Sequence, residues 1–389
     1  MWFGTTRTYL DHAAATPVCA EAQKAMRASA NIYGNPGAIH AEGAAAKRVL
    51  EDARAAIAHE LAAKPRQIVF VSGSTEGNNL AILGIAHKLL RTRPDLAGTH
   101  WVTSAIEHPS VLESFGEIER LGGAVAHVLP DEEGFIREDA LARAMRDDTL
   151  LVSVGWANHE IGTVQDIRAL ARAARSRARG VLFHTDMGQA PLFKVPHVHT
   201  LGVDLATLGS GKLYGPRGIG ALFVGNRAEL ASHTFGGSQE RGLRAGTEDP
   251  ILAAGFAAAL HARGSLRTSE TTRLTSIRAH CIEKLTSGIP TCVINGTEER
   301  ALPHIINVSI PDIQTEYVVL ALDKEGFALS TRSACAAAEG ISHVVAALER
   351  DSDASSWRPR NTLRISLGTE TTMRDMERFL MCLVRIVAR

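Results

Sequence analysis

Short apolar runs alternate with longer stretches of helical periodicity along most of the chain. The apolar runs, which predict buried strands, are QIVFVS (67–72), HWVTSA (100–105), TLLVSVGWA (149–157), GVLFHTD (180–186), VDLATLG (203–209) and IGALFV (219–224). Apolar positions recur at helical spacing between them, over 41–61, 110–122 and 167–180. Strands separated by helices predict an α/β protein whose mostly parallel sheet is covered by helices on both faces.

The pattern changes after a helical stretch at 251–264, where we expect a second, smaller domain to begin. A long helical pattern at about 270–288 is followed by two short apolar runs, HIINVSI and TLRISLG, and by a final helix. This order predicts an α+β unit. The segment 349–361 is polar and has no periodicity, which predicts a loop.

Composition excludes several classes of protein. The 42 basic and 42 acidic residues cancel, which argues against a nucleic-acid or membrane-surface partner. No apolar run approaches the roughly 20 residues that span a bilayer, and the N-terminus lacks the apolar core of a signal peptide. The five cysteines form no C-x-x-C pair and are odd in number, which favours a reducing compartment over a disulfide framework. We therefore expect a cytoplasmic protein.

Polar residues that could bind a ligand follow the predicted strands where each strand ends, and ligands of parallel sheets bind at that edge. These residues are Ser74, Thr75, His108, His159, Asp186, Gln189 and Lys212. Taken alone, Ser74 or Thr75 equally predicts an ordinary helix N-cap. Lys212 does not end a phosphate loop, because Ala206 and Leu213 occupy positions where that motif requires Gly and a hydroxyl. Together, a phosphate cradle, an imidazole, an acid and a lysine fit pyridoxal phosphate.

Several longer stretches carry a resemblance that covers nearly the whole chain. They are YLDHAAATP (9–17), GNPGAIH (34–40), VSGSTEGNNLAI (71–82), EHPSV (107–111), NHEIGTVQDI (158–167), HTDMGQAP (184–191), KLYGPRGIGALFV (212–224), GGSQERGLRAGTED (236–249), STRSACAAA (330–338) and LRISLG (363–368). The chain resembles the cysteine desulfurases of the class V aminotransferase superfamily. That resemblance implies the fold of fold-type I pyridoxal-phosphate enzymes, with a mostly parallel seven-stranded sheet. We expect a large cofactor-binding domain at 15–262 and a small domain built from 1–14 and 263–389.

The resemblance also implies roles for the residues at the cofactor. Lys212 would form the Schiff base with the cofactor, Asp186 would pair with the pyridinium nitrogen and Gln189 with the ring hydroxyl. His108 would stack on the ring and move protons. Thr75, with Ser74 beside it, would bind the phosphate.

Further roles implied by the resemblance concern the substrate and the second subunit. Thr247 would reach the phosphate of a neighbouring subunit, which implies a homodimer. Arg364 would bind the substrate carboxylate, with Asn35 as a helper. Cys335 would attack the sulfur of bound L-cysteine, keep it as a persulfide and release L-alanine. The sulfur would then pass to an acceptor protein, for iron–sulfur cluster assembly or thiolation.

Cys335 also has a simpler interpretation. Its alanine neighbours would suit a small buried hydrophobic residue, and only the matching STRSAC motif favours the nucleophile. Cys335 precedes Arg364 by 29 positions, which resembles the branch of the family with a long catalytic loop. We interpret the other four cysteines as structural. His197 and His199 have metal-like spacing, but no further ligand is evident near them in the sequence, so we expect no metal site.

The chain departs from the family pattern close to Lys212. Gly209 and Gly211 stand where the family has a serine and a histidine that contact the phosphate, and Ser210 is displaced by one residue. His159 stands where an asparagine contacts the cofactor. Each lost contact would cost about 1–3 kcal/mol if nothing replaces it. Two alternatives therefore stay open: a related lyase acting on selenocysteine or cysteine sulfinate, and a cofactor-poor scaffold for sulfur relay.

Overall fold

The computed structural model describes residues 7–331, 340–349 and 356–388. Its strands are β1 (Thr8–Tyr9), β2 (Ile68–Val71), β3 (His100–Ser104), β4 (Ala124–Val128), β5 (Thr149–Ser153), β6 (Leu182–Asp186), β7 (Leu205–Gly209), β8 (Gly220–Val224), β9 (Val293–Ile294), β10 (Ile305–Ser309), β11 (Phe327–Ala328) and β12 (Thr362–Ser366). Its α-helices are α1 (Ala20–Ala28), α2 (Ala41–Glu60), α3 (Ser74–Leu90), α4 (Pro109–Arg120), α5 (Glu138–Ala144), α6 (Ile167–Arg177), α7 (Val198–Leu201), α8 (Pro250–Gly288), α9 (Thr315–Lys324), α10 (His343–Leu348) and α11 (Met373–Val387).

The predicted mostly parallel seven-stranded sheet is confirmed. Its strand order is β2-β8-β7-β6-β5-β3-β4. The strands run parallel except β8, which is antiparallel to both of its neighbours. Alternate residues of β2 enter two hydrophobic clusters, with Ile68 and Phe70 in one and Val69 and Val71 in the other. This alternation is that of a strand with an apolar layer on each face.

One strand of this sheet was missed by the sequence analysis. Strand β4 lies at the sheet edge beside β3, and most of its residues are only partly buried. Four of the five residues of AVAHV are apolar, as in the strands that were predicted, and its place at the sheet edge leaves it partly exposed.

A second, three-stranded antiparallel sheet has the order β12-β10-β9 and contains both short apolar runs predicted there. Strand β1, near the N-terminus, pairs in parallel with β11. The two helical patterns at 251–264 and 270–288 are not separate: they form the single 39-residue helix α8. Gly264 lies inside this helix, where packing against α1, α2 and α11 outweighs its weak helical propensity. The predicted domain boundary falls within α8, and the division into domains stays a prediction.

None of the helices in the described ranges is both long enough and apolar enough to cross a membrane.

Candidate active site

The carboxyl ends of four parallel strands bring the predicted residues to one cavity. His108 follows β3, His159 follows β5, Asp186 ends β6, and Lys212 follows β7 in a short 3-10 turn, Ser210–Lys212. These four side chains and Gln189 line a narrow cavity, which we call the inner chamber. Parallel strands deliver the residues that follow them to the same sheet edge, which is why residues so distant in sequence meet here.

A second, more open and larger cavity adjoins the first. We call it the outer chamber, and it is lined by Ser74, Thr75, Gly209, Gly211 and Arg217 among others. His108, Asp186 and Lys212 line both chambers, so the two chambers adjoin at these residues. Helix α3 begins at Ser74 with no side-chain cap, and the first N–H groups of a helix attract anions.

Asp186 is held by two donors at the junction of the chambers. Its Oδ2 accepts a hydrogen bond from Asn78 Nδ2 at 2.7 Å, and its Oδ1 accepts one from the backbone N–H of Gly188 at 2.7 Å. These bonds fix the orientation of the carboxylate toward the cavity that it lines. The sequence analysis did not single out Asn78. Its place one helical turn after Ser74 was the available signal, because residues four apart share a helix face.

His108 is held as a neutral imidazole at the cavity. Burial, with the nearby Lys212 ammonium as a smaller cause, lowers the pKa of His108 to about 4. Its Nδ1 accepts the backbone N–H of Ser110 at 3.1 Å, capping helix α4. Because Nδ1 is an acceptor, the neutral ring carries its proton at Nε2, and this N–H is left to donate to a ligand.

Glu107 is a buried carboxyl group that the sequence analysis did not identify. Its two oxygens accept the Gly155 N–H at 3.0 and 2.9 Å, which ties the end of β3 to the end of β5. Burial raises the pKa of Glu107 to about 7. A Cβ at position 155 would lie 2.9 Å from Glu107 Oε2, so the glycine is needed for this close approach.

His159, at the departure from the family pattern, is buried among other imidazoles. Its ring centroid lies 5.2 Å from that of His108 and 6.4 Å from that of His343. Burial and the neighbouring His108 hold the pKa of His159 well below its usual value. Its Nε2 has no hydrogen-bond partner within the described ranges and lies 3.8 Å from Glu160 Oε1. No sequence motif pointed to His343, because it lies near His159 only through the tertiary packing of helix α10.

Arg364 lies on β12, buried beside His159, and is not among the residues that line either chamber. Its Nη1 donates to the His159 carbonyl at 3.1 Å and its Nη2 to Asp11 Oδ1 at 2.8 Å. The side chain is 2% exposed, so the Asp11 carboxylate offsets a charge that water cannot reach. Gln189 is engaged as well: its Nε2 donates to the Ala13 carbonyl at 2.8 Å.

The remaining predicted residues do not meet at the cavity. Ser210 is buried, does not line either chamber, and its hydroxyl faces Gly215. Asn35 is exposed, and its side chain accepts the Gly37 N–H. Thr247 is also exposed. Cys335 lies outside the described residues.

The chain is similar to known proteins over almost its whole length. Residues 8–379 match the family described as Aminotransferase class-V. The cysteine desulfurase IscS of Dictyoglomus turgidum is 36% identical over 383 residues, which cover 98% of this chain and 94% of that protein. A solved NifS-like protein superposes with a TM-score of 0.89 at 27% identity, covering 98% of this chain and 100% of its own. The structure described as SspA in complex with cysteine has a TM-score of 0.78 at 32% identity, and the match covers 93% of this chain and 99% of that one.

Proposed function

The chain belongs to the aminotransferase class-V family, and from this premise we propose that it acts as a pyridoxal-phosphate-dependent cysteine desulfurase. It converts L-cysteine to L-alanine and keeps the sulfur as a persulfide on Cys335. The observation that carries this proposal is the meeting of Lys212, Asp186 and His108 at the junction of the two chambers.

The residues of the two chambers fit the cofactor in their chemistry. Lys212 supplies the amine that attaches it, and Asp186 supplies a fixed carboxylate for the ring nitrogen. The uncapped start of α3 and the hydroxyls of Ser74 and Thr75 face the outer chamber, where an anionic group fits. A Cβ at Gly73 would meet no heavy atom within 4 Å, so the space before this helix is open. Bound pyridoxal phosphate supplies an electron sink for charge that develops on the substrate.

The protein's own groups divide the remaining work. His108 donates a hydrogen bond from Nε2 to the bound ligand, and its low pKa keeps the ring neutral at neutral pH. Arg364 binds the substrate carboxylate, and Asp11 orients the guanidinium. In the net reaction the carbon–sulfur bond of L-cysteine breaks, a sulfur–sulfur bond to Cys335 forms, and the thiol hydrogen ends on the carbon of L-alanine. No other oxidant or reductant is needed.

The persulfide on Cys335 passes to a sulfur-acceptor protein, which serves iron–sulfur cluster assembly or a thiolation pathway. The enzyme acts as a homodimer in which Thr247 of one copy completes the phosphate site of the other. The exposure of Thr247 and of the apolar Tyr33, Ile39 and Phe235 supports an interface of this kind. Light scattering of the purified protein checks this part: a particle with the mass of one chain would exclude it.

The test of the reaction is alanine release from L-cysteine in the presence of a thiol reductant. We expect equal amounts of alanine and sulfide from the wild type, and neither from K212A or C335A. C382A is the matched control, because Cys382 is a partly buried free thiol of α11 and should not affect turnover.

Two outcomes would favour the alternatives. Retained activity of C335A toward selenocysteine or cysteine sulfinate, without activity of the wild type on L-cysteine, would favour a related lyase. A protein that neither binds pyridoxal phosphate nor releases alanine would favour a scaffold in sulfur relay.

A further inference from the structure

Arg217 is a cation at the outer chamber whose role the site described above leaves unassigned. It follows Lys212 by five positions, on the segment that leads into β8. Its side chain lines the outer chamber together with Ser74 and Thr75. Within the part of the chain that the structure describes, its guanidinium makes no hydrogen bond and no ion pair. An exposed arginine is ordinarily satisfied by water alone, so its surroundings must decide whether it has a ligand.

The two glycines that flank Ser210 are fitted to their neighbours. A Cβ at Gly211 would lie 3.3 Å from Arg217 Cγ, which is closer than most Cβ contacts. A Cβ at Gly209 would lie 2.3 Å from Ser74 Oγ, so the hydroxyl would have to move. Glycine at these positions therefore allows the stem of Arg217 and the hydroxyl of Ser74 to approach the turn that carries Lys212.

The charges around the outer chamber favour an anion beside Arg217. The amino end of α3 carries partial positive charge and free N–H groups. Lys212 also lines the chamber, but its amine is assigned to attachment of the cofactor. The carboxylate of Glu76 lines it too. That charge is offset, because Glu76 accepts the Ser72 N–H at 2.5 Å and pairs with Arg244 at 3.1 Å.

From these contacts we infer that Arg217 is a ligand of the cofactor's phosphate group. The planar guanidinium suits this role, because it can donate two hydrogen bonds to one phosphate. Arg217 lines the outer chamber as a charged donor in addition to Lys212. The inference rests on the proposed function, since it assumes that pyridoxal phosphate occupies the two chambers.

The test compares the binding of pyridoxal phosphate with that of pyridoxal, which lacks the phosphate. The full chain is dialysed free of cofactor and titrated with each compound, and the dissociation constant is read from the visible absorption band. We expect R217Q to weaken pyridoxal phosphate binding about tenfold or more, as for a lost charged hydrogen bond, and to leave pyridoxal binding within about twofold. R217K keeps the charge and should show a smaller loss.

A matched control is R66Q, which removes an exposed arginine that lines neither chamber. It should bind both compounds like the wild type. Equal binding of pyridoxal phosphate by R217Q and the wild type would overturn the inference, and so would an equal loss for pyridoxal. Failure of the wild type itself to bind pyridoxal phosphate would instead refute the proposed function, so the two failures can be told apart.

Discussion

The substitution Arg54→Ala should destabilise the protein strongly, because it leaves a carboxylate buried without its partner. Arg54 and Glu240 form a two-pronged ion pair with distances of 2.8 and 2.7 Å. Their side chains are 6% and 0% exposed. Glu240 also accepts the Phe70 N–H at 2.9 Å, which anchors the segment leading to Thr247 against β2.

The expected magnitude follows from this burial. Breaking a buried ion pair by removing one partner costs about 3–5 kcal/mol of unfolding free energy. Arg54 also contacts Glu51, but that carboxylate is 49% exposed, and a pair of this kind contributes at most about 1 kcal/mol. R54A should therefore be far less stable than E51A. R54A breaks the buried pair with Glu240, whereas E51A breaks only the partly exposed pair with Arg54.

Equilibrium urea unfolding of the wild type, R54A, E51A and the double variant R54A/E240Q measures these differences. The double variant should regain at least about 1 kcal/mol over R54A, because the neutral amide removes the unpaired charge and still accepts from Phe70. A loss below about 1 kcal/mol in R54A, or a double variant less stable than R54A, would refute the reasoning.

Three further predictions concern the active site and its pH dependence. Gly209→Ala should weaken pyridoxal phosphate binding about tenfold or more, measured by titration, because the new Cβ displaces the Ser74 hydroxyl 2.3 Å away. Arg364→Lys should raise the KM for L-cysteine about tenfold in steady-state assays, because one amine cannot replace a two-pronged guanidinium. Burial lowers the pKa of His184 to about 4 and that of His304 to about 3. Each should therefore lower the free energy of unfolding, measured in urea, by about 2 kcal/mol at pH 5 relative to neutral pH.

The sign of the pH effect follows from which state binds the proton first. The unfolded chain protonates these imidazoles near pH 6.5, so their contribution is complete above that value and is lost as the pH falls toward the folded-state values. Glu107, with its raised pKa of about 7, has the opposite sign and offsets part of the loss. As the pH falls, the free energy of unfolding of H184N should decline less steeply than that of the wild type. An identical decline would contradict a low pKa for His184 in the folded protein.

The other two predictions have controls of their own. Gly180→Ala adds a Cβ that meets no heavy atom within 4 Å, so it should bind the cofactor normally. Tight binding by G209A would show that Ser74 does not hold the phosphate. R364K should keep the visible absorption band of the bound cofactor, and an unchanged KM would remove Arg364 from the substrate site.

The sheet and its cofactor edge could be predicted because local sequence encodes them. Strands β2, β3 and β5 to β8 each contain a short apolar run, and the residues after them owe their position to the mostly parallel topology. The fold-type I architecture implied by the resemblance is likewise confirmed. Helix α8 was predicted as two pieces because Gly264 weakens the local helical signal, while the packing that sustains the helix involves distant residues.

The parts of the site that escaped prediction depend on contacts between distant segments. Glu107 is buried only because Gly155, on another strand, lets it approach. His343 lies near His159 because helix α10, which is far from β5 in sequence, packs beside it. Arg217 can act on a ligand only because it lines the same chamber as the start of α3. Sequence pattern reports burial and period within one element, and it carries little about pairings of this kind.

The visible absorption spectrum of the purified protein, before and after adding L-cysteine, tests the central claim most directly when the wild type is compared with Lys212→Ala. The account predicts a band in the wild type that shifts when L-cysteine is added and is lost or altered in the variant. A wild type that stays colourless after incubation with pyridoxal phosphate would contradict it.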